Sequence, residues 1–246
     1  MKNLCGTLFM GLMALLHATS SGQSVAPLPG SEKVTLVLKT DDFSITGDGS
    51  HSSWTKTEWM VMTKLDRGGK EYESKFKILY SPTGLYVLFQ GIDAKITSEE
   101  FQDFDPIFHG DVFEIFLHPD PNVVVYYEYE VNALNKELIL VISNLGGKSH
   151  NSWMPYGKSK GGVRKMVTVD GDAKTGAPIK SWKAEIFFPY GSLGLLPGIP
   201  PQSGNVWHAN FCRLDYDSGE MVKWSWSPGI KKSFHELDQF LSLKFE

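Results

Sequence analysis

The residues best placed to do chemistry lie in the stretch Asp111 to Asn132, DVFEIFLHPDPNVVVYYEYEVN, where carboxylates and an amide recur every second position among aromatic rings. Two alternating arms are joined by a polar turn. Successive side chains of a strand point to opposite faces. Phe113, Ile115 and Leu117 therefore share one face of the first arm, and Val112, Glu114 and Phe116 share the other. In the second arm Tyr127, Tyr129 and Val131 fall on one face, opposite a polar row of Tyr126, Glu128, Glu130 and Asn132. If the arms pair, Glu114 looks across at that row. Acceptor oxygens framed by aromatic rings suit a polyhydroxylated ligand. Paired carboxylates also serve glycoside hydrolysis, and Glu114, Glu128, Glu130 and Glu185 are the candidates for such a pair. Glu114 has a second, compatible reading as a structural carboxylate satisfied by Arg213 or by backbone groups. Asn132, Asn210 and Arg213 can likewise hold loops together. The sequence has no Gly-x-Ser-x-Gly elbow, phosphate loop or Cys/His nucleophile setting, and its histidines lack zinc spacing. Met154, Met221, His208 and His235 leave a haem held between Met and His as a further alternative, an electron-transfer module.

The elements that must position these groups read as all-β. Short alternating or apolar segments recur between turn signals, and no long window keeps a 3.6-residue period. The expected strands are Val34–Leu38, Phe43–Ile45, Phe76–Tyr80, Leu85–Ile92, Val112–Leu117 and Tyr126–Asn132. Later ones are Leu138–Ser143, Val163–Val169, Trp182–Phe188, Trp207–Arg213, Val222–Ser227 and Phe240–Phe245. Ser81-Pro82-Thr83-Gly84 fits a tight hairpin turn, because Pro presets one dihedral and Gly accepts a positive one. So many strands without a crossover helix predict two packed antiparallel sheets, a β-sandwich of jelly-roll type. Thr97 to Gly110 is expected to open with a helical turn capped by Thr97 or Ser98. Asn144 to Gly162, glycine-rich and polar, is expected to be a surface loop. Trp54, Trp59, Trp182 and Trp207 read as core, whereas Trp153 and Trp226 are the better candidates for exposed stacking.

Residues 1–22 have the layout of a cleaved secretory signal: Lys2, an apolar run from Leu4 to Leu16, then small residues before Gln23. The run is too short and too broken by Gly6, Thr7 and Gly11 to span a bilayer, so membrane insertion is not expected. The mature chain, 23–246, is then one β-sandwich domain in a secreted or periplasmic setting. Of two cysteines, Cys5 lies in the segment to be removed, which leaves Cys212 as a small buried hydrophobe and no internal disulfide. A net charge of only −4 provides no basic field for nucleic acid.

Longer stretches resemble family 9 carbohydrate-binding modules. They are Ile45-Thr46-Gly47-Asp48-Gly49 with Trp54, Lys77-Ile78-Leu79-Tyr80 with Leu85-Tyr86-Val87, and Asp111 to Leu117. The later signs are Tyr127 to Asn132, Trp182 to Ile186 with Pro189, Asn210 with Arg213, Trp226-Ser227, and Phe234-His235 with Phe240. The resemblance runs from about Phe43 to the C-terminus. It implies a β-sandwich that binds sugars, often with structural calcium, and that accompanies enzymes degrading plant polysaccharides. Members clamp the sugar between two tryptophans, and the matching positions here are Phe108 and Phe234. The matching acceptor of sugar hydroxyls is Glu114, with Glu130 standing where the family can place an arginine. Asn132, Asn210, Arg213 and Trp226 complete the candidate binding residues. Asp48, Asp93 and Asp111 are the candidate calcium ligands, because calcium takes hard oxygen donors. The implied partners are an oligosaccharide or polysaccharide and glycoside hydrolases.

Overall fold

The computed structural model describes residues 34–144, 150–153 as backbone only, and 162–246. Residues 1–22, read from the sequence as an export signal and containing Cys5, lie outside the described residues, as do Met154, Tyr156 and the Trp153 side chain. In chain order the strands are β1 Thr35–Lys39, β2 Met60–Val61, β3 Thr63–Lys64, β4 Ser74–Tyr80, β5 Gly84–Ile92, β6 Val112–His118 and β7 Val125–Asn132. There follow β8 Glu137–Asn144, β9 His150–Trp153, β10 Arg164–Gly171, β11 Ile179–Pro189, β12 Val206–Asp215, β13 Val222–Ser225 and β14 Leu241–Phe245.

The strands lie in the order β10-β11-β5-β4-β1-β14-β12-β6-β7-β8-β9. β1 is the seam of a two-layer sandwich. Its first part, Thr35 to Val37, runs parallel to β14, and its last, Leu38 and Lys39, runs parallel to β4. All other pairings are antiparallel among the described residues. The layer β10-β11-β5-β4 faces the layer β14-β12-β6-β7-β8, and rings from both fill the space between. Phe76 of β4 stacks on Phe211 of β12 at 3.7 Å, and Phe89 of β5 on Phe113 of β6 at 4.6 Å. Burying one such ring stabilises the fold by roughly 1.5–3 kcal/mol.

Every residue of β6 is buried. One face looks into this core, while the other carries a second cluster in which Val112, Phe116, Tyr126 and Cys212 lie beneath Ile107, Phe234 and Phe240. The outer face of the opposite layer is covered in the same way, with Phe43 and Trp54 lying over Tyr86, Leu88 and Phe187. β10, at the far edge, shows the half-buried alternation of a strand with one wet face.

Several expectations give way. Phe43–Ile45 is not a strand, because its backbone is satisfied by side chains: Phe43 N–H donates to Tyr86 Oη, which donates back to Phe43 O, each at 3.0 Å. No helical turn starts at Thr97. Its N–H donates to Asp111 and its hydroxyl to Asp217, so neither is a cap, and the segment tightens only at Ile107–His109 into one 3₁₀ turn. β2 and β3, two residues each, are too short to show a period, and β9 lies inside the expected loop 144–162. The turn Ser81 to Gly84 joins β4 to β5 as expected, with Ser81 N–H donating to Gly84 O at 2.9 Å, but Gly84 does not take a positive φ; glycine is needed there because a Cβ would lie 2.3 Å from Phe188 O.

Candidate functional site

Strand register assembles the site. Glu114 of β6 lies opposite Glu130 of β7 on one side and Cys212 of β12 on the other, and Glu128 lies opposite Phe116 in the next row. Since Glu114, Glu128 and Glu130 all fall on the outer face of this layer, they form the floor of a cavity of about 370 Å³, within the size range of small-ligand pockets. Leu140, Ile142 and Leu214 extend the floor as apolar surface. The half-buried Phe108, the buried Phe234 and His235 also line it, as do the exposed Met221 and Lys232 and the half-buried Lys223.

The carboxyls are almost fully withdrawn from water: Glu114 is 3 % exposed, Glu128 4 % and Glu130 1 %. Burial, and then the charge of Glu128, holds the Glu114 carboxyl well above the ordinary range. Glu130 is raised in the same way by burial and by its two glutamate neighbours, and burial pushes Glu128 up to about 7. The Glu128 and Glu130 side chains share a hydrogen bond, and beyond it neither Glu128 Oε2 nor Glu130 Oε2 meets a donor among the described residues.

The walls are held by residues that do not line the cavity. The Glu236 carboxylate accepts the N–H groups of Lys231, Lys232 and Ser233 at 3.2, 2.6 and 3.0 Å, fixing the loop that carries Phe234. Those donors outweigh the push from burial and hold the Glu236 carboxyl below its usual range. His235 Nδ1 lies 2.7 Å from Tyr126 Oη, and the Phe116 ring meets Phe234 and His235 edge-on. Opposite, Asp111 accepts Thr97 N–H at 2.5 Å and Tyr216 N–H at 2.8 Å, while Tyr216 Oη donates to Phe108 O at 2.8 Å. These bonds clamp the segment bearing Phe108.

Of the candidate binding residues, Phe108, Glu114, Glu130 and Phe234 come together at the cavity. The others do not. Asn132 closes a turn, its Oδ1 accepting from Leu134 and Lys136 N–H. Asn210 Oδ1 accepts from Ser225 Oγ and Ser227 N–H at 3.0 Å each, tying β13 and the following loop to β12. Trp226 is 5 % exposed, wedged edge-on against Phe76 and Phe211, so the expected exposed ring is a core ring. Arg213 points to the opposite face from Glu114 and is not its partner. Its guanidinium pairs with Asp93 at 3.0 Å and Asp215 at 2.6 Å. Glu185 is equally remote from the other glutamates, for its carboxylate accepts Thr46, Gly47 and Trp54 donors on the outer face of β11. It cannot pair with Glu114 for hydrolysis. Of the residues considered for haem, Met221 and His235 reach the cavity and His208 sits on β12. Glu128, considered for hydrolysis, and His235, considered for haem, line the cavity together with Lys232, which was not singled out. Their signal was present in the even spacing of Glu128 from Glu130 and in the adjacency of the loop residues to Phe234.

The three calcium candidates do not form one group. Asp48 is exposed and caps its own turn, where hydrogen bonds from the Thr46 hydroxyl and from Ser50 hold its carboxyl at about 2. Asp111 is the loop clamp already described. Asp93 gathers with Asp215 and Asp217, but every oxygen of that trio takes a protein donor. Asp93 Oδ2 receives Trp182 Nε1 and Arg213, and Asp93 Oδ1 receives Lys95 N–H. Asp215 receives Arg213 and Asp217 N–H, and Asp217 receives Tyr72 Oη and Thr97 Oγ1. With a guanidinium already in their midst, these residues do not fit a calcium ion.

The comparisons agree with this architecture. The family model described as carbohydrate family 9 binding domain-like matches residues 45–171. No curated protein matches the chain. A solved structure of a candidate carbohydrate-binding protein from Bacteroides uniformis superposes with a TM-score of 0.67 at 17 % identity, covering 88 % of this chain and 100 % of that one. Two structures of a family 9 carbohydrate-binding module from Caldicellulosiruptor kristjanssonii are also similar. The one with glucose has a TM-score of 0.58 at 14 % identity, covering 86 % of this chain and 96 % of that one. The one with cellotriose has 0.59 at 15 %, covering 87 % and 94 %. With the family match spanning the Glu185-anchored loop, β6 and β7, and the same two-layer fold in those structures, the chain belongs to the carbohydrate family 9 binding domain-like family.

Proposed function

We propose that this is an exported carbohydrate-binding protein whose cleft holds an oligosaccharide or the end of a polysaccharide. One observation carries the reading: in a chain of this family, Phe108, Phe234 and the buried Glu114 line one cavity. A phenyl face offers apolar contact to the C–H face of a pyranose ring, and carboxyl oxygens accept its hydroxyl protons. The glucose and cellotriose bound by the Caldicellulosiruptor module support a glucan end as the first ligand to try. Residues 1–22 would direct export to a secreted or periplasmic setting. There the protein would supply sugar recognition for polysaccharide breakdown by glycoside hydrolases.

A glycan array followed by calorimetry with cello-oligosaccharides tests the proposal. Phe108→Ala and Phe234→Ala are each expected to weaken binding about tenfold, the equivalent of an aromatic contact of about 1.4 kcal/mol. Absence of binding to every glycan by folded protein would refute it. Glu236→Ala removes the acceptor that organises the wall at Phe234. It is expected to weaken the same ligands several-fold while the unfolding midpoint barely moves, and equal affinity for the variant would show that the wall does not depend on it.

A further inference from the structure

The floor of the cleft is short of a cation. Glu114, Glu128 and Glu130 come from two adjacent strands, all nine-tenths or more buried, and apart from the hydrogen bond that the Glu128 and Glu130 side chains share, Glu128 Oε2 and Glu130 Oε2 meet no donor among the described residues. Buried carboxyls ionise only when a cation pairs with them and otherwise tend to stay protonated. The nearby arginine and lysine cations are directed elsewhere. Arg213 is on the other face with Asp93 and Asp215. Lys223 Nζ lies 3.9 Å from Asp66, and Lys232 is exposed at the mouth. His235 Nδ1 is 3.9 Å from Glu128 Oε2 but only 2.7 Å from the Tyr126 hydroxyl.

A neutral sugar would bring hydroxyl donors but no charge, and a uronic acid would set a fourth carboxylate against three. An ammonium brings three donors and a positive charge on one atom, matching acceptors that converge from neighbouring positions. The flanking phenyl faces attract the same charge. We infer that the cleft selects a saccharide end carrying a primary amine, an amino sugar, over a neutral or acidic one; this rests on the sugar-binding reading and names its ligand class.

Proton release marks the binding step. Without ligand the floor carboxyls hold their protons, since burial and mutual repulsion raise all three. An ammonium favours their ionised forms, so protons leave as it docks. The other titratable or charged groups facing the floor are Tyr126, Cys212, Tyr216 and His235, with Lys223 and Lys232 at the rim. Affinity for the amine therefore rises with pH as these carboxyls approach their ligand-free range, about 7 for Glu128, and falls again where the ligand's own ammonium deprotonates.

The test is calorimetry of the full chain with three oligosaccharide sets: glucosamine oligomers, their N-acetylated counterparts, and cello-oligosaccharides. The amine set is expected to bind about tenfold or more tightly than either neutral set, and to release protons when titrated in two buffers of different ionisation enthalpy. Glu130→Gln, and separately Glu114→Gln, should reduce that preference ratio to within about threefold. Neutral oligomers binding as tightly as the amines would overturn the inference and leave sugar binding standing, and so would amine binding without proton release. A simple alkylammonium binding as tightly as the amino sugar would overturn it too. If folded protein binds none of the three sets, the amine inference fails, and sugar binding fails with it only if the glycan array also shows no binding.

Discussion

Arg213→Met is expected to destabilise the protein by roughly 3–5 kcal/mol, because removing one partner of a buried ion pair leaves the other charge uncompensated. Against a total stability of roughly 5–15 kcal/mol, much of the chain would unfold at ordinary temperature. The side chain is fully buried and does several jobs at once. Nη2 pairs with Asp93 and Asp215, while Nη1 donates to Ser74 Oγ at 3.1 Å and Ile92 O at 2.7 Å. Gly91 makes the room, since a Cβ there would lie 2.7 Å from Nη1 and 2.9 Å from the Phe113 ring.

The loss should depend on pH with a definite sign. Burial raises Asp93 to about 7 and raises Asp215, against the pull of Arg213 on both. Acids whose folded pKa exceeds the unfolded value stabilise the fold fully below the unfolded pKa, about 3.9. That contribution is lost as pH rises through the folded pKa. Without the guanidinium both values climb further. The deficit of Arg213→Met should then be largest near about pH 8 and shrink toward about pH 5. Urea unfolding followed by tryptophan fluorescence at the two pH values measures it. Adding Asp93→Asn and Asp215→Asn to the variant should recover part of the loss, and a deficit that ignores pH and these additions would mean that the guanidinium acts by packing alone.

Glu185→Gln is expected to cost about 3 kcal/mol, since one acceptor oxygen of a buried, multiply bonded carboxylate becomes a donor facing donors. Glu185 Oε2 accepts the N–H groups of Thr46 and Gly47 at 2.8 and 2.7 Å and the Thr46 hydroxyl at 3.0 Å, while Oε1 accepts Trp54 Nε1 at 2.8 Å. The amide can serve one of these sets and opposes the other. The loop cannot easily adjust, because Gly47 has φ +84° and a Cβ there would lie 2.9 Å from Met166 Cβ. Denaturant midpoints should fall, the Trp54 environment should change, and amide exchange from residues 46 to 50 should quicken. Unchanged exchange in a destabilised variant would place the damage elsewhere. The cavity is on the other layer, so ligand affinity of the folded fraction should hold.

The two substitutions also separate what was legible along the chain from what was not. Alternation is a local consequence of backbone geometry, so the sequence alone could put Glu114 on a face with Val112 and Phe116, and Glu128 and Glu130 on a face with Tyr126. Antiparallel pairing of β6 with β7 then follows from the intervening turn, and with it the neighbourhood of Glu114 and Glu130. Phe108 and Phe234 could be singled out only by likeness to a family, since nothing in their own surroundings marks a lone phenylalanine as a wall.

Tertiary structure decided the rest. Arg213 finds Asp93 across 120 residues and Glu185 finds Thr46 across 139, so each pairing depends on which strands become neighbours. For the same reason Trp226, read as exposed, ends against Phe76 of the facing layer, and Asp111, read as a metal ligand, becomes a clamp on the segment holding Phe108. A period of two tells each side chain which face it is on. Only the folded chain, by choosing what covers that face, makes it core, clamp or cleft.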